Sequence, residues 1–217
     1  MKILRTILPL AALASAALLQ ADEEAGPVEK LVFETEWKGE RIELPPPFAP
    51  EMKLEGIEEI RFAPGMFEPE SDSFFSYVFV FAVPGDTELS KEVIQKETLA
   101  YYRGLAASVL KGRGKEVDTT KFKFTLEKSD KAVAVPASVG DKSSVTEYRG
   151  KLDWIEPFAT AKPQVLHFEI QAWSDPDTKR GYLFVGTSPK EIGDSAAIWK
   201  EMRKIRSEFK VEAGAAK

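Results

Sequence analysis

The first half of the chain contains several short stretches in which hydrophobic and polar residues alternate, a pattern typical of β-strands. Within residues 56–63, Ile60 and Phe62 fall on one face and charged residues fall on the other. Three consecutive prolines from Pro45 interrupt the pattern, because proline has no amide hydrogen to donate to a neighbouring strand. The predicted strands cover residues 31–37, 41–44, 56–63 and 74–83, with Lys38-Gly39 as a turn between the first two.

The stretch over residues 74–83 is the strongest strand pattern in the chain. It carries no charged residue, so both faces of this strand are expected to be covered. One face holds the aromatic residues Phe75, Tyr77, Phe79 and Phe81, and the other holds smaller side chains. Two interpretations stay open: the aromatic row packs beneath a helix as core, or it lines an apolar ligand pocket.

Two stretches show helical periodicity. The first covers residues 91–111, with Ser90 as the N-cap residue and Gly112 as the C-terminal stop. The second covers residues 195–210 and has hydrophobic residues three or four positions apart, which makes it the clearest amphipathic helix of the chain. Its hydrophobic face consists of Ile198, Trp199, Met202, Ile205 and Phe209.

The second half of the chain again shows strand patterns, over residues 122–126, 145–155, 164–173 and 181–187. The last two are expected to form a hairpin, and the charged residues of 145–155, Glu147 among them, are expected to face outward. Strands and helices in this order predict an α+β fold, an antiparallel sheet of about eight strands with two helices packed on one face.

An internal similarity at an offset of 105 residues suggests two related halves, 31–115 and 116–210. Tyr77-Val78-Phe79-Val80 aligns with Tyr182-Leu183-Phe184-Val185, and both segments lead through a proline and a serine into a helix. The sequence of each half then predicts several strands followed by a helix. The alternative is that a strand, a proline turn and a serine-capped helix are common in unrelated sequences. In either case residues 31–210 are expected to form one domain, between a flexible leader at 22–30 and a disordered tail at 211–217.

The first 21 residues have the composition of a signal peptide. Lys2 and Arg5 precede an apolar stretch over residues 7–19, and Ala21 is a small residue suited to the cleavage position. The apolar stretch is shorter than the ~20 residues that a membrane-spanning helix needs. We therefore expect an exported protein, periplasmic or secreted, with no stable membrane anchor after cleavage. The absence of cysteine excludes attachment as a bacterial lipoprotein.

Composition narrows the classes of function. The formal net charge of −5 becomes −7 once the two basic residues of the leader are removed, which argues against a nucleic-acid partner. A chain without cysteine and with a single histidine has no disulfide, thiolate nucleophile or multi-histidine metal site. No phosphate-binding or dinucleotide motif is present, so no cofactor and no metal are predicted. The oligomeric state is left open.

The single histidine, His167, is the only side chain with an ordinary pKa near neutrality. In its predicted strand it shares one face with Glu169 and Trp173. This face either lines a cleft or is a half-exposed outer surface of the sheet. Residues two apart on a strand lie about 7 Å from one another, too far for a direct hydrogen bond between His167 and Glu169. Because no G-x-S-x-G motif accompanies the histidine, no catalytic residue is assigned.

These observations favour an exported, non-catalytic binding or accessory protein that engages an apolar small ligand or a protein partner. The candidate binding residues are Phe75, Tyr77, Phe79, Phe81, His167, Glu169 and Trp173. Two alternatives are a metal-independent enzyme that uses carboxylates and a structural envelope protein. A cleft with two acids of divergent pKa would favour the enzyme, whereas an open apolar surface would favour binding.

Overall fold

The computed structural model describes residues 29–130, 134–137, 139–140 and 143–212, so the predicted signal peptide lies outside the described residues. The described chain forms nine strands, two α-helices and one 3-10 helix at Thr119–Lys121. In chain order the larger elements are β1 Lys30–Val32, β2 Lys38–Leu44, β3 Gly56–Phe62, β4 Tyr77–Pro84, α1 Lys91–Gly112, β5 Lys123–Lys128, β6 Thr146–Ile155, β7 Pro163–Asp175, β8 Arg180–Ser188, α2 Ala197–Glu208 and β9 Lys210–Glu212.

Seven of the strands form one sheet in the order β2-β3-β4-β8-β7-β6-β5, and each neighbouring pair is antiparallel. The central pair is β4 and β8, the two strands that precede the helices, with Phe79 opposite Val185. Strands β1 and β9 pair separately as a two-stranded ribbon. The predicted α+β class with an antiparallel sheet is therefore confirmed, with nine strands where about eight were expected.

The prediction that both helices pack on one face of the sheet is wrong. Phe79 stacks on Tyr101 of α1, with ring centroids 6.2 Å apart. Its neighbour Val78, which points to the other face, belongs to the apolar cluster of Trp199 in α2. The central strands are apolar on both faces, so each face needs its own cover, and one helix supplies it on each side.

The opposite placement of the helices also bears on the proposed repeat. Strands β4 and β8 are antiparallel neighbours. A half-turn about an axis perpendicular to the sheet, placed between them, therefore superimposes β2, β3 and β4 on β6, β7 and β8. That rotation keeps each face in place, yet α1 and α2 cover different faces. The two halves therefore place their helices on opposite faces of the sheet, and the internal duplication stays a prediction. The aligned tyrosines match because Tyr77 and Tyr182 each face the helix of their own half.

Several element boundaries differ from the sequence prediction. Lys38 and Gly39 belong to strand β2, because the turn comes before them. Helix α1 begins as predicted after Ser90, whose side-chain oxygen accepts a hydrogen bond from the Val93 amide at 3.4 Å. Helix α2 begins later than predicted, after Ala196, so Ser195 is not its N-cap.

Both ends of the described chain are more ordered than predicted. Lys30, placed by the sequence in a flexible leader, pairs in the β1–β9 ribbon with Glu212. Val211, the first residue of the predicted tail, pairs with Leu31 in the same ribbon. The ribbon closes over Phe209, which is fully buried against Phe33 and Phe184, so burial of these rings offsets the cost of ordering the termini. No helix within the described ranges has the length and apolar composition needed to cross a membrane.

Candidate functional site

A cavity of about 370 Å³ lies on the α1 face of the sheet, at the end formed by strands β2 and β3. The sheet forms its floor, helix α1 forms one wall, and the loops around residues 48, 64–75 and 158 complete it. Its lining is almost entirely apolar, and among the described residues Glu40 is the single charged one in it. The other lining residues are Ile42, Phe48, Ile60, Phe62, Met66, Phe67, Phe75, Tyr77, Tyr101, Leu105 and Phe158.

Five of these lining side chains form a closed aromatic circuit, in which each ring contacts the next. Going round from Phe62, the centroid separations are 6.3 Å to Phe67 and 5.7 Å to Phe158. Phe158 lies 5.7 Å from Phe75, which lies 5.6 Å from Tyr77. The circuit closes at 6.1 Å between Tyr77 and Phe62. Contacts at these distances are favourable for aromatic pairs, so the circuit is a stable wall.

The loop that carries Phe158 is held by a buried carboxylate. Glu156 has no solvent exposure and accepts hydrogen bonds from the backbone amides of Phe158 at 2.5 Å, Ala159 at 3.0 Å and Thr160 at 2.6 Å. Arg113, just after α1, donates to a carbonyl of the same loop, that of Ala159, at 3.3 Å. These bonds fix the position of the Phe158 ring although the loop is neither helix nor strand.

The loop between β3 and β4 carries Phe67 and Phe75. The Phe75 amide donates to the Met66 carbonyl at 2.8 Å, and Ser73 donates a side-chain hydrogen bond to the Pro64 carbonyl. Phe75 has φ +49°, a left-handed conformation that is unusual for a bulky side chain. The surrounding contacts impose this conformation, and it turns the chain directly before β4.

A buried polar pair lies beside the pocket. Tyr101 contributes its ring to the lining and donates a hydrogen bond from its hydroxyl to Oε1 of Glu58 at 3.1 Å. Burial raises the pKa of Glu58 to about 8, the hydrogen bond from Tyr101 opposes this rise, and the charge of Glu40 adds to it. Oε2 of Glu58 is buried and has no hydrogen-bond partner among the residues that the structure describes. The carboxyl group is therefore protonated at neutral pH.

A second hydroxyl pair lies on the same side of the sheet. The side-chain oxygens of Tyr77 and Tyr102 are 2.6 Å apart and form a hydrogen bond. Burial is the main reason why the pKa of each tyrosine is raised above its ordinary value, so both stay neutral. With Glu58 protonated as well, none of these three side chains carries a charge at neutral pH.

The structure divides the predicted aromatic row into two parts. Phe75 and Tyr77 line the pocket. Phe79 and Phe81 do not, because α1 covers them: both contact the ring of Tyr101, at centroid distances of 6.2 and 6.0 Å. The pocket interpretation therefore holds for Phe75 and Tyr77, and the core interpretation holds for Phe79 and Phe81.

The other three candidate residues lie on the opposite face of the sheet. His167 is half-buried, and burial lowers its pKa. Trp173 stacks on Tyr182 with ring centroids 5.2 Å apart, and both belong to the apolar cluster that α2 covers. Because the sheet lies between them and the aromatic circuit, these residues and Tyr77 form no common site.

Glu169 is the centre of a buried ion-pair network. Its two carboxylate oxygens accept hydrogen bonds from Nη2 and Nε of Arg203 at 2.7 and 2.9 Å. Arg149 and Arg206 each approach the same carboxylate to 3.6 Å. The space between this network and α2 has no room for even a water-sized molecule. Glu169 therefore joins α2 to β7 and is not open to a ligand.

A larger cleft of about 1070 Å³ lies between the β4–α1 turn and the β7–β8 turn. Trp173 lies on its wall beside Leu89, but exposed polar residues such as Asp86 and Lys179 form much of the rest. This cleft is wide and open to solvent. We regard the smaller apolar cavity as the better candidate site, since ligand pockets are concave and mainly apolar.

Sequence reasoning missed Glu40, Glu58, Phe67 and Phe158. A signal existed for Glu58, which lies two residues before Ile60 and so falls on the core face of the same strand. Phe67 and Phe158 lie in loops, where no periodicity indicates the direction of a side chain. In the described part of the chain, no group of three or more acidic or histidine side chains is placed to hold a metal ion.

Comparison with models of known protein families, with curated proteins and with solved structures finds no match to this chain.

Proposed function

We propose that this protein is an exported, non-catalytic binding protein whose pocket holds a small molecule with an apolar body. The observation that carries the proposal is the 370 Å³ cavity, whose lining includes all five rings of the aromatic circuit. Its volume falls within the range of small-molecule sites, about 300–1,000 Å³. At roughly 30 Å³ for each water-sized group it accommodates about 12 such groups, close to a decyl chain with one polar head.

The mouth of the pocket supports binding from solution. Phe67 is 54% exposed although it is a large apolar side chain, and its ring belongs to the circuit. Exposed apolar surface next to a concave apolar site is typical of ligand-binding grooves. A ligand that covers Phe67 would remove this surface from water, which favours binding by about 25 cal/mol for each Å² covered.

The surroundings of Glu58 favour binding over carboxylate chemistry. Glu58 is the carboxyl group beside the pocket with a strongly raised pKa, which is a property expected of a general acid. It has no solvent exposure, and Oε1 is occupied by the Tyr101 hydroxyl. A general acid must reach the substrate atom that it protonates, and Glu58 is not among the residues that line the cavity.

Isothermal titration calorimetry with decanol tests the proposal. We expect saturable binding of one decanol molecule to each chain, with a negative heat-capacity change because apolar surface is buried. Ile42→Trp places a larger side chain in the pocket from the exposed edge strand β2 and is expected to abolish the binding. Arg41→Trp makes the same substitution on the opposite, exposed face of β2 and should leave it unchanged. Equal binding by both variants would contradict the proposal.

The export part of the proposal rests on the composition of residues 1–21. Expression of the full chain in a bacterial host, followed by fractionation and N-terminal sequencing, tests it. We expect the mature protein outside the cytoplasm with Asp22 as its first residue. Full-length protein that remains in the cytoplasmic fraction would contradict this part and leave the binding proposal standing.

A further inference from the structure

We infer that the pocket selects an organic cation, a primary or quaternary amine with an apolar tail, whose positively charged head lies among the aromatic rings beside Glu40. The inference rests on the proposed function, since it specifies the chemistry of the ligand for the same pocket. It follows from the arrangement of the rings, from the charge of the lining and from the hydrogen bonds that the polar groups behind the lining already make.

The rings of the aromatic circuit have the spacing that a cation site needs. Neighbouring centroids are separated by 5.6–6.3 Å around the circuit. Cation–π attraction acts over the face of a ring within ~6 Å of its centroid, and neighbouring rings at this spacing can share one cation. Ring systems attract a cation through the negative charge of their faces, and they offer no such attraction to a carboxylate.

The charge of the lining has one sign. Glu40 is the charged residue of the pocket wall, and no lysine or arginine from the described part of the chain contributes to it. Glu40 lies directly opposite Ile60 on the pocket face of β2 and is exposed to solvent. Lys38, two positions earlier on the same face, is exposed and does not line the cavity. A bound cation is therefore attracted by Glu40, whereas a bound anion would be repelled.

The polar groups behind the wall have no positive charge to offer an anion. The hydroxyls of Tyr77 and Tyr102 are bonded to each other, and that of Tyr101 is bonded to Glu58. An anionic head placed here would lose its hydration without gaining a cationic partner, and such burial is strongly unfavourable. A cationic head loses its hydration too, but the rings and Glu40 compensate it.

Calorimetric titration of three compounds with the same decyl chain separates charge from apolar burial. Decylamine, decanol and decanoate are compared at neutral pH, low salt and concentrations below their aggregation thresholds. We expect decylamine to bind about tenfold more tightly than decanol, the gain typical of a desolvated cation–π contact, and decanoate to bind most weakly. Added salt should weaken decylamine binding and leave decanol binding unchanged.

Two charge variants on strand β2 locate the selectivity. Glu40→Gln should weaken decylamine binding about threefold, the modest effect of one solvent-screened carboxylate, and should weaken decanol binding less than that, because decanol carries no charge. Glu43→Gln is the matched control, because Glu43 is an exposed glutamate of the same strand that points to the opposite face. It should change neither.

The outcomes separate this inference from the proposed function. If decanoate or decanol binds as tightly as decylamine, and Ile42→Trp abolishes that binding, the cation preference is overturned and the apolar site stands. If decylamine is preferred but Glu43→Gln weakens it as much as Glu40→Gln does, the placement of the head beside Glu40 is overturned. If none of the three compounds binds saturably, the proposed function and the inference are both overturned.

Discussion

The hydroxyl of Tyr101 donates a hydrogen bond to Glu58 at 3.1 Å, and this contact joins helix α1 to strand β3 beside the apolar pocket. Both side chains are buried, and within the described ranges the second oxygen of Glu58 has no hydrogen-bond partner. A charged carboxylate in this place would lack the hydrogen bonds that it has in water. The fold therefore keeps Glu58 in its neutral form, and this has a measurable consequence for stability.

The stability of the folded chain should fall as pH rises between about 4.5 and 8 because of Glu58. The pKa of Glu58 is about 8 in the folded chain and 4.5 for an unperturbed glutamate, so in this window the folded state holds a proton that the unfolded state has lost. The free energy of unfolding then decreases with pH, by at most about 1.4 kcal/mol for each pH unit. Urea denaturation at a series of pH values measures the slope.

Glu58→Gln provides the comparison, because glutamine keeps the shape of the side chain and does not titrate. We expect the variant to match the wild-type stability near pH 4.5 and to exceed it above pH 8. Glu147, on the other face of the sheet, also has a pKa raised by burial, so it contributes a pH slope of the same sign, and Glu147→Gln measures that separate contribution. A wild-type pH slope that survives intact in Glu58→Gln would rule out the titration of Glu58 in this window.

Removal of the Glu169 carboxylate should strongly destabilise the protein. Glu169 is 1% exposed and pairs with Arg203 through two hydrogen bonds, while Arg206, 2% exposed, lies 3.6 Å away. Glu169→Gln leaves these guanidinium groups buried without their anion, which costs about 3–5 kcal/mol. Asp194→Asn removes the exposed partner of Arg203 and should cost less than about 1 kcal/mol. Equal losses in chemical denaturation would show that Glu169 is not the centre of the network.

Two glycines of helix α1 should respond to alanine in opposite directions. A Cβ at Gly104 would lie 2.3 Å from the Phe48 carbonyl oxygen and 2.6 Å from the Ala49 Cα, so the loop after β2 would have to move. We expect Gly104→Ala to lower the unfolding free energy by about 1–3 kcal/mol. Gly112 has open space around it, and Gly112→Ala should raise stability by about 0.5–1 kcal/mol. Thermal unfolding of both variants measures the difference, and a stabilising Gly104→Ala would contradict the close contact.

Loss of the Glu156 carboxylate should weaken ligand binding although Glu156 does not line the pocket. Its oxygens hold the backbone amides of Phe158, Ala159 and Thr160, and Phe158 is part of the aromatic circuit. Glu156→Ala should reduce decylamine affinity about threefold or more and reduce stability by about 2 kcal/mol or more, because three amides lose a charged acceptor. Asp153→Ala, an exposed change on β6 nearby, is the control for both measurements. Unchanged affinity in folded Glu156→Ala would show that the position of Phe158 does not matter for binding.

Much of the fold was predictable from short-range patterns. The uncharged aromatic strand β4, the Ser90 cap of α1 and the β7–β8 hairpin all follow from periodicity and capping chemistry within a few residues. The side of the sheet that each helix covers was not predictable in this way. Tyr101 lies on the apolar side of α1, and Trp199 lies on the apolar side of α2. No residue near either of them in the chain specifies which face of the sheet the helix covers.

The candidate site was predictable only in part, for the same reason. Phe75 and Tyr77 were identified because the strand pattern aligns them, but Phe79 has the same pattern and is covered by α1. The wall formed by Phe158 depends on the carboxylate of Glu156 and on Arg113, which is more than 40 residues away in the chain. His167 and Glu169 do share a strand face as predicted, yet Arg203 of α2 closes that face.

The sequence by itself determined the α+β class, the antiparallel sheet and the aromatic row, because alternation, helical periodicity and capping depend on neighbouring residues and on burial of apolar surface. The tertiary structure alone decided that the helices cover opposite faces, that Glu58 is buried against Tyr101 and that five rings from separate segments close around a cavity. These features depend on contacts between residues distant in the chain, whose free energy is set by how the whole sheet packs and not by any single segment.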